Sequence, residues 1–170
     1  MGLNVEASEL AYEDIGMSVG LLTKALKETG KSVCVKEARR LEALPPSTSE
    51  CNLHVRQAGL DVQDAVLIAQ AMREFSRQNR VVIRSFSVSY NSGLQDAGVI
   101  ALINAFPSTL TDLGLVGCDI GDSCGELLLE WAQSAPELRM VCLEQNSLSK
   151  EMRHRFSLLG EQRNDLFVVA

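Results

Sequence analysis

The sequence predicts an α/β fold, a curved solenoid with short parallel strands on its concave side, helices on its convex side and a helical cap at the N-terminus. Three observations carry this. Four short apolar triplets recur along the chain, and each is followed by apolar residues at helical spacing. The composition is that of a folded chain, with 46% hydrophobic and 22% charged residues among 170 and a mean hydropathy of +0.05. No run approaches the roughly 18 apolar residues of a membrane span, so none is expected. With 16 Lys and Arg against 22 Asp and Glu, the net charge of -6 disfavours a nucleic-acid backbone as partner. Met1 to Leu10 hold Glu6 and Glu9 and no basic residue, which predicts neither a secretory signal nor a transit peptide and makes the cytoplasm the expected location.

The leading segment places Ile15, Val19, Leu22 and Leu26 on one helical face that ends at Gly30. Val33 and Val35 predict a further strand, and Lys36 to Leu44 a short helix. Pro45-Pro46-Ser47-Thr48-Ser49 reads as a loop. Residues 1–50 thus form a cap, expected to belong to one continuous domain with the repeats at 51–170, because so short a piece is marginal alone.

The repeated triplets are Leu53-His54-Val55, Phe86-Ser87-Val88, Leu113-Gly114-Leu115 and Val141-Cys142-Leu143. Apolar, variable, apolar is the period-2 signature of a strand with one buried face. Three residues beyond each stand Ala58, Asn91, Cys118 and Asn146, followed by Leu60, Leu94 (displaced by one), Ile120 and Leu148. The intervals are 33 residues from Val55 to Val88, 27 to Leu115 and 28 to Leu143. Downstream, Val99, Leu102, Ile103 and Phe106 share one helical face, as do Cys124, Leu127, Leu128 and Trp131. Ile68, Leu102, Leu128 and Phe156 hold equivalent helix positions, and Pro107 and Pro136 close two of the helices. Leu166 and Val168 are expected to supply a last buried strand, whose edge either stays open, offering self-association, or is covered by something else. A strand–helix unit cannot bury its own apolar face, so units stack; because helices are about 10 Å wide and strands about 4.8 Å apart, the stack curves.

Written as L-x-L-x-x-N/C-x-L, the repeat resembles the leucine-rich repeats of the ribonuclease-inhibitor type. Asn91-Ser92-Gly93-Leu94-Gln95-Asp96-Ala97-Gly98-Val99-Ile100-Ala101-Leu102 looks like that family's turn and helix. The resemblance covers residues 51–170 and implies a right-handed curved leucine-rich-repeat solenoid. Ala58 departs from the Asn or Cys of the pattern, and Cys124 stands where Gly98 leads one to expect Gly.

The sequence offers little chemistry. Five cysteines, at 34, 51, 118, 124 and 142, form no C-x-x-C pair and read as reduced, mostly buried thiols; His54 and His154 lack metal-ligand spacing. No nucleophile motif, phosphate loop or metalloprotease motif occurs, so no catalytic residue, cofactor or metal is expected. Asp96 and Asp122 read as helix N-caps. The concave face is the candidate binding surface: His54, Arg56 and Gln57, then Ser87, Ser89 and Tyr90, then Asp112, Gly114 and Val116, then Cys142, Glu144 and Gln145. Such a mixed surface suits a protein or peptide partner.

The resemblance implies a non-enzymatic interaction module. A leading helical segment followed by about five units is similar in layout to the actin-capping domain of tropomodulins. The alternative is a regulator of an enzyme, similar to the Ran GTPase-activating proteins, in which Arg56 would be the basic residue at a strand exit. Inhibition of a basic ribonuclease fits the acidic balance but requires a longer horseshoe.

Overall fold

The computed structural model describes residues 19–77 and 81–170. The chain is α/β. Helix α1 occupies residues 19–28, and α2 (Ser32–Glu42) comes next. Strands and helices then alternate: β1 (Glu50–His54), α3 (Val62–Arg77), β2 (Val82–Ser87), α4 (Gln95–Ile103), β3 (Asp112–Gly114), α5 (Asp122–Ser134), β4 (Met140–Cys142), α6 (Lys150–Gln162) and β5 (Phe167–Val169). The five strands form one sheet in sequence order, parallel throughout.

The predicted triplets stand side by side. Leu53 pairs with Phe86, Phe86 with Leu113, Leu113 with Val141, and Val141 with Val168. Val55, Val88, Leu115 and Leu143 form the next rung, and backbone bonds carry the ladder beyond the strands: Val88 N–H donates to the Gly114 carbonyl (3.0 Å) and Leu115 N–H to the Cys142 carbonyl (2.9 Å). On the helices Ile68, Leu102, Leu128 and Phe156 are fully buried in the same core. Each of α3, α4 and α5 packs on the next helix in the chain, so every unit is supported by its sequence neighbours.

An amide ladder made by two asparagines joins these units. Asn91, 1% exposed, accepts at Oδ1 from the amides of Ala58 (2.8 Å) and Leu60 (3.1 Å), and its Nδ2 donates to the carbonyls of Val55 (2.9 Å) and Val88 (2.7 Å). Asn146 repeats the pattern two units on, with Oδ1 2.9 Å from Cys118 N and Nδ2 2.8 Å from both Leu115 O and Leu143 O. Between them the Cys118 thiol donates to Val88 O at 3.4 Å, a weaker version of the same bond. Buried turn amides must find partners, and these side chains supply them. The displaced Leu94 is fully buried; the extra residue is absorbed at Gln95, which turns left-handed (φ 51°) and donates to Cys118 O (3.1 Å).

Several expectations are corrected. Val33 and Val35 lie inside α2, because Cys34, Glu37, Ala38 and Leu41 are buried at helical spacing and outweigh two β-branched residues in alternation. Phe106 lies beyond α4, which ends at Ile103; its ring packs on Phe86 (centroids 5.4 Å apart) and Trp131 (5.0 Å) instead of extending the helix face. Leu127 is 41% exposed and Leu129 is buried instead, because the core-facing side of α5 turns toward Gly125 and Leu129 while Cys124 and Leu128 remain in it. Asp96 and Asp122 cap no helix of their own. Each sits in the first turn of its helix and reaches the next unit, Asp96 Oδ1 accepting from Gly121 N (2.6 Å) and Asp122 Oδ1 from Ser149 N (2.8 Å). The bonds from Ser149, together with the nearby Arg153 and Arg155, hold the Asp122 carboxyl below its usual pKa. The predicted N-terminal helix face holds at Val19, Leu22 and Leu26, which are buried; Ile15 and the Met1 to Leu10 stretch lie outside the described residues.

Two devices were not anticipated. Glu37, 9% exposed, accepts at Oε1 from the His54 backbone amide (3.1 Å) and forms a bidentate pair with Arg40, whose guanidinium also donates to Asn52 O. Helix α2 thereby covers the outer edge of β1. At the other end Arg163 donates to three carbonyls at the end of α5 and beyond it, Ala132 (2.8 Å), Ala135 (2.9 Å) and Leu138 (3.0 Å). Arg163→Ala strands these acceptors and is expected to destabilise the fold by about 2 kcal/mol, read as a lower urea midpoint at unchanged m value.

Candidate functional site

The alternation of the strands decides which side chains leave the core. Residues between the buried rungs point away from the helices, and four units bring them onto one face. At the centre of that face is a depression of about 290 Å³ lined by Arg56, Ser87, Ser89, Tyr90, Gly114, Val116, Cys142, Glu144 and Gln145. Every one of these residues was singled out from the sequence. His54, Gln57 and Asp112 lie outside the lining.

An unusual backbone runs through the strand exits, two of which, Tyr90 and Gln145, line the depression. Gln57 (φ 50°), Tyr90 (φ 64°), Gly117 (φ 60°) and Gln145 (φ 59°) occupy the same place in successive units, immediately before the ladder position, and all are left-handed. A bulky residue rarely adopts this conformation, which costs roughly 1 kcal/mol or more. The ladder on both sides enforces it: Tyr90 N–H donates to Val116 O (2.6 Å), and Gly117 N–H to Glu144 O (2.9 Å). Gly117 also makes room for its neighbour, since a Cβ there would stand 3.3 Å from the Tyr90 ring. The ring is 44% exposed, and the Arg56 guanidinium lies over it, 5.5 Å from the centroid.

The floor is made of small side chains. A Cβ on Gly114 would come within 2.6 Å of Ser87 Oγ, so a side chain at this position would fill the depression. Ser89 (2% exposed) and Val116 (9%) line the depression yet are buried, because they lie at its bottom beneath larger neighbours. Ser89 Oγ accepts from Val116 N (3.2 Å) and from Ser87 Oγ (3.2 Å). On the far wall Cys142 is half-buried and burial raises its thiol pKa, an effect that Glu144 and Asp112 strengthen and Arg56 opposes. Glu144 Oε2 is buried and has no hydrogen-bond partner among the described residues.

His54 stands on the same face near the β1 edge, its Nε2 2.8 Å from Ser85 Oγ. Burial lowers its pKa, with Glu37 and Asp112 pulling the other way. Ser85 was missed from the sequence because β2 carries one extra residue: Cys51 pairs with Ile83 and Asn52 with Ser85, which leaves Arg84 unpaired. Arg84 bonds Glu50 (2.9 Å) and Glu137 (2.5 Å) across the strand starts. The Glu144 oxygen had no signal in the sequence at all. A separate apolar cavity of about 250 Å³ lies between α1, α2 and the 45–48 loop and holds none of the predicted residues.

Among the described residues no helix is long and apolar enough to cross a membrane, and no three His, Cys, Asp or Glu side chains cluster as metal ligands. No family model matches the chain, and a search of curated proteins finds no match.

Proposed function

We propose that the chain is a leucine-rich-repeat protein of the ribonuclease-inhibitor type, a right-handed curved solenoid capped by residues 1–50. In this reading it is a non-enzymatic interaction module that binds a protein or peptide across its concave strand face. One observation carries the reading: residues from four successive units converge on a single depression, two of them, Tyr90 and Gln145, at left-handed strand exits. The asparagine ladder supports the repeat assignment, because the same side chain makes the same bonds two units apart, with Cys118 at the equivalent place between them. The five free thiols suit a cytoplasmic location. The competing reading, a regulator of GTP hydrolysis acting through Arg56, is weakened by the engagement of that guanidinium with the Tyr90 ring. An arginine that works on a partner's phosphates must first leave its own stacking contact.

Photo-crosslinking from single positions tests the face. A benzophenone side chain is placed at Gln145 on the strand face or at Leu127, exposed on α5, and the protein is incubated in lysate from its native host. A discrete adduct from position 145 and none from 127 is the expected result. The same adduct from 127 alone moves the binding surface to the helices.

A further inference from the structure

We infer that the bound segment crosses the strand face as an extended chain, with an acidic side chain on Arg56 and a large apolar one on Met140 and Phe167. The inference rests on the concave-face reading above and adds the chemistry of the ligand.

The register of the sheet defines the path. Asp112, Met140 and Phe167 stand side by side in one row, and Gly114, Cys142 and Val169 in the next. Side chains alternate along a strand, and Leu113 and Val141 are buried against the helices, so both rows lie on the strand face. Among the described residues Phe167 is the most exposed large apolar side chain, at 64%, and Met140, its partner in register, is 37% exposed. Together they form an apolar platform, whereas the first two strands present His54, Ser85 and Ser87 on the same face. The platform belongs to the face of β5 and not to its edge, so a strand pairing along that edge leaves it open.

The other end of the path carries charge. Arg56 is exposed and is the one basic residue in the lining of the depression. Its guanidinium is held over the Tyr90 ring, and no hydrogen bond or ion pair joins it to any described residue, Glu144 included. A planar fork already fixed by stacking gives up little freedom when a carboxylate binds, and a bidentate pair with that group is among the stronger polar contacts. A carboxylate on the bound segment meets the guanidinium where it lies, without drawing it off the ring.

Between the two ends the surface is low. Gly114 has no side chain and its neighbour Ser87 a small one, which lets a main chain lie close to the sheet. Tyr90 stands at the exit of β2, three strands from Phe167 and five residues beyond the row that Ser85 shares with it. At about 4.8 Å per strand and 3.3 Å per residue the diagonal is about 20 Å, which an extended segment covers in about six residues. An even spacing also turns both side chains toward the sheet.

The test uses the whole chain, labelled with ¹⁵N, and the capped peptide Ac-Glu-Ser-Ala-Thr-Ala-Ser-Leu-NH2, the same residues in reverse order, and versions of each with Gln for Glu or Ser for Leu. One of the two orders is expected to shift the amides of Arg56 and Phe167 together in a saturable way. Its Gln version should bind at least fivefold more weakly and its Ser version at least tenfold. Arg56→Gln should erase the preference for Glu over Gln and keep that for Leu over Ser, and Phe167→Ser should do the reverse; both side chains are exposed, and circular dichroism confirms that both variants fold. Equal binding of all the peptides, binding of neither order, or preferences that survive both substitutions overturn the proposal. Peptides that fail while crosslinking from Gln145 still yields its adduct sink this ligand chemistry and leave the concave-face function standing; failure of both removes the two together.

Discussion

Asn91→Ala is expected to lower the stability of the protein by about 3–5 kcal/mol, an unusually large effect for a change that removes no apolar surface. Four backbone groups depend on this one side chain: the amides of Ala58 and Leu60 and the carbonyls of Val55 and Val88. All sit where the chain leaves the strands and water does not enter, Asn91 itself being 1% exposed. Each stranded group forfeits about 1–3 kcal/mol of desolvation, partly recovered by relaxation of the turn. Total stabilities of 5–15 kcal/mol make that a large fraction. Asn91→Cys should recover part of the loss, because Cys118 already makes such a bond in the next unit at 3.4 Å. Urea titration followed at 222 nm measures both. The array adds a further expectation: cutting the link between the first two units allows the rest to stay folded, so the transition should broaden and its m value fall. A loss below 1 kcal/mol with a sharp transition would mean that the ladder bonds are readily replaced.

Much of this arrangement was legible because it derives from the backbone. Strand alternation and the 27- and 28-residue spacing place Leu53, Phe86, Leu113 and Val141 in register, and the helix positions Ile68, Leu102, Leu128 and Phe156 with them. The nine lining residues of the depression come from the same alternation. What sequence reading lost is whatever depends on a partner in another unit. Asp122 looks like a cap for its own helix, but its oxygen serves Ser149, 27 residues away, because the first turn of a helix in a stack points toward the next loop. Glu37 and Arg163 look like ordinary surface charges, although one seals the edge of β1 and the other the end of α5. Leu127 and Phe106 fit a helical period that the structure cuts short or rotates, since apolar residues alone do not fix where a helix ends. Ser85 met His54 only through an extra residue at Arg84 that no local pattern announced.

Alkali is expected to unfold this protein through its cysteines. Burial raises the thiols of Cys51 and Cys118 to about 11 and that of Cys124 to about 12, from 9.0 in the open chain. The cause is the same at each: a thiolate in the apolar layer between strands and helices loses its hydration. Because the folded values lie above the unfolded ones, the unfolded chain releases these protons first, and every proton it releases favours unfolding. The stabilising contribution is therefore complete below about pH 9 and drains away as the pH rises through the folded values of 11 to 12. A tenfold difference in acidity between the folded and the open chain is worth about 1.4 kcal/mol, so the three thiols together contribute several kcal/mol, enough to threaten the native state. Urea midpoints at pH 8, 9, 10 and 11 should fall with growing slope, and Cys124→Ala, less stable at pH 8 because of the cavity it leaves, should show the shallower fall. A level profile up to pH 11 in the parent protein would show that these thiols ionise in place. Below pH 9 the same burial predicts that a thiol reagent modifies Cys142 alone, the half-buried cysteine on the wall of the depression, while the four in the core react only as the chain unfolds.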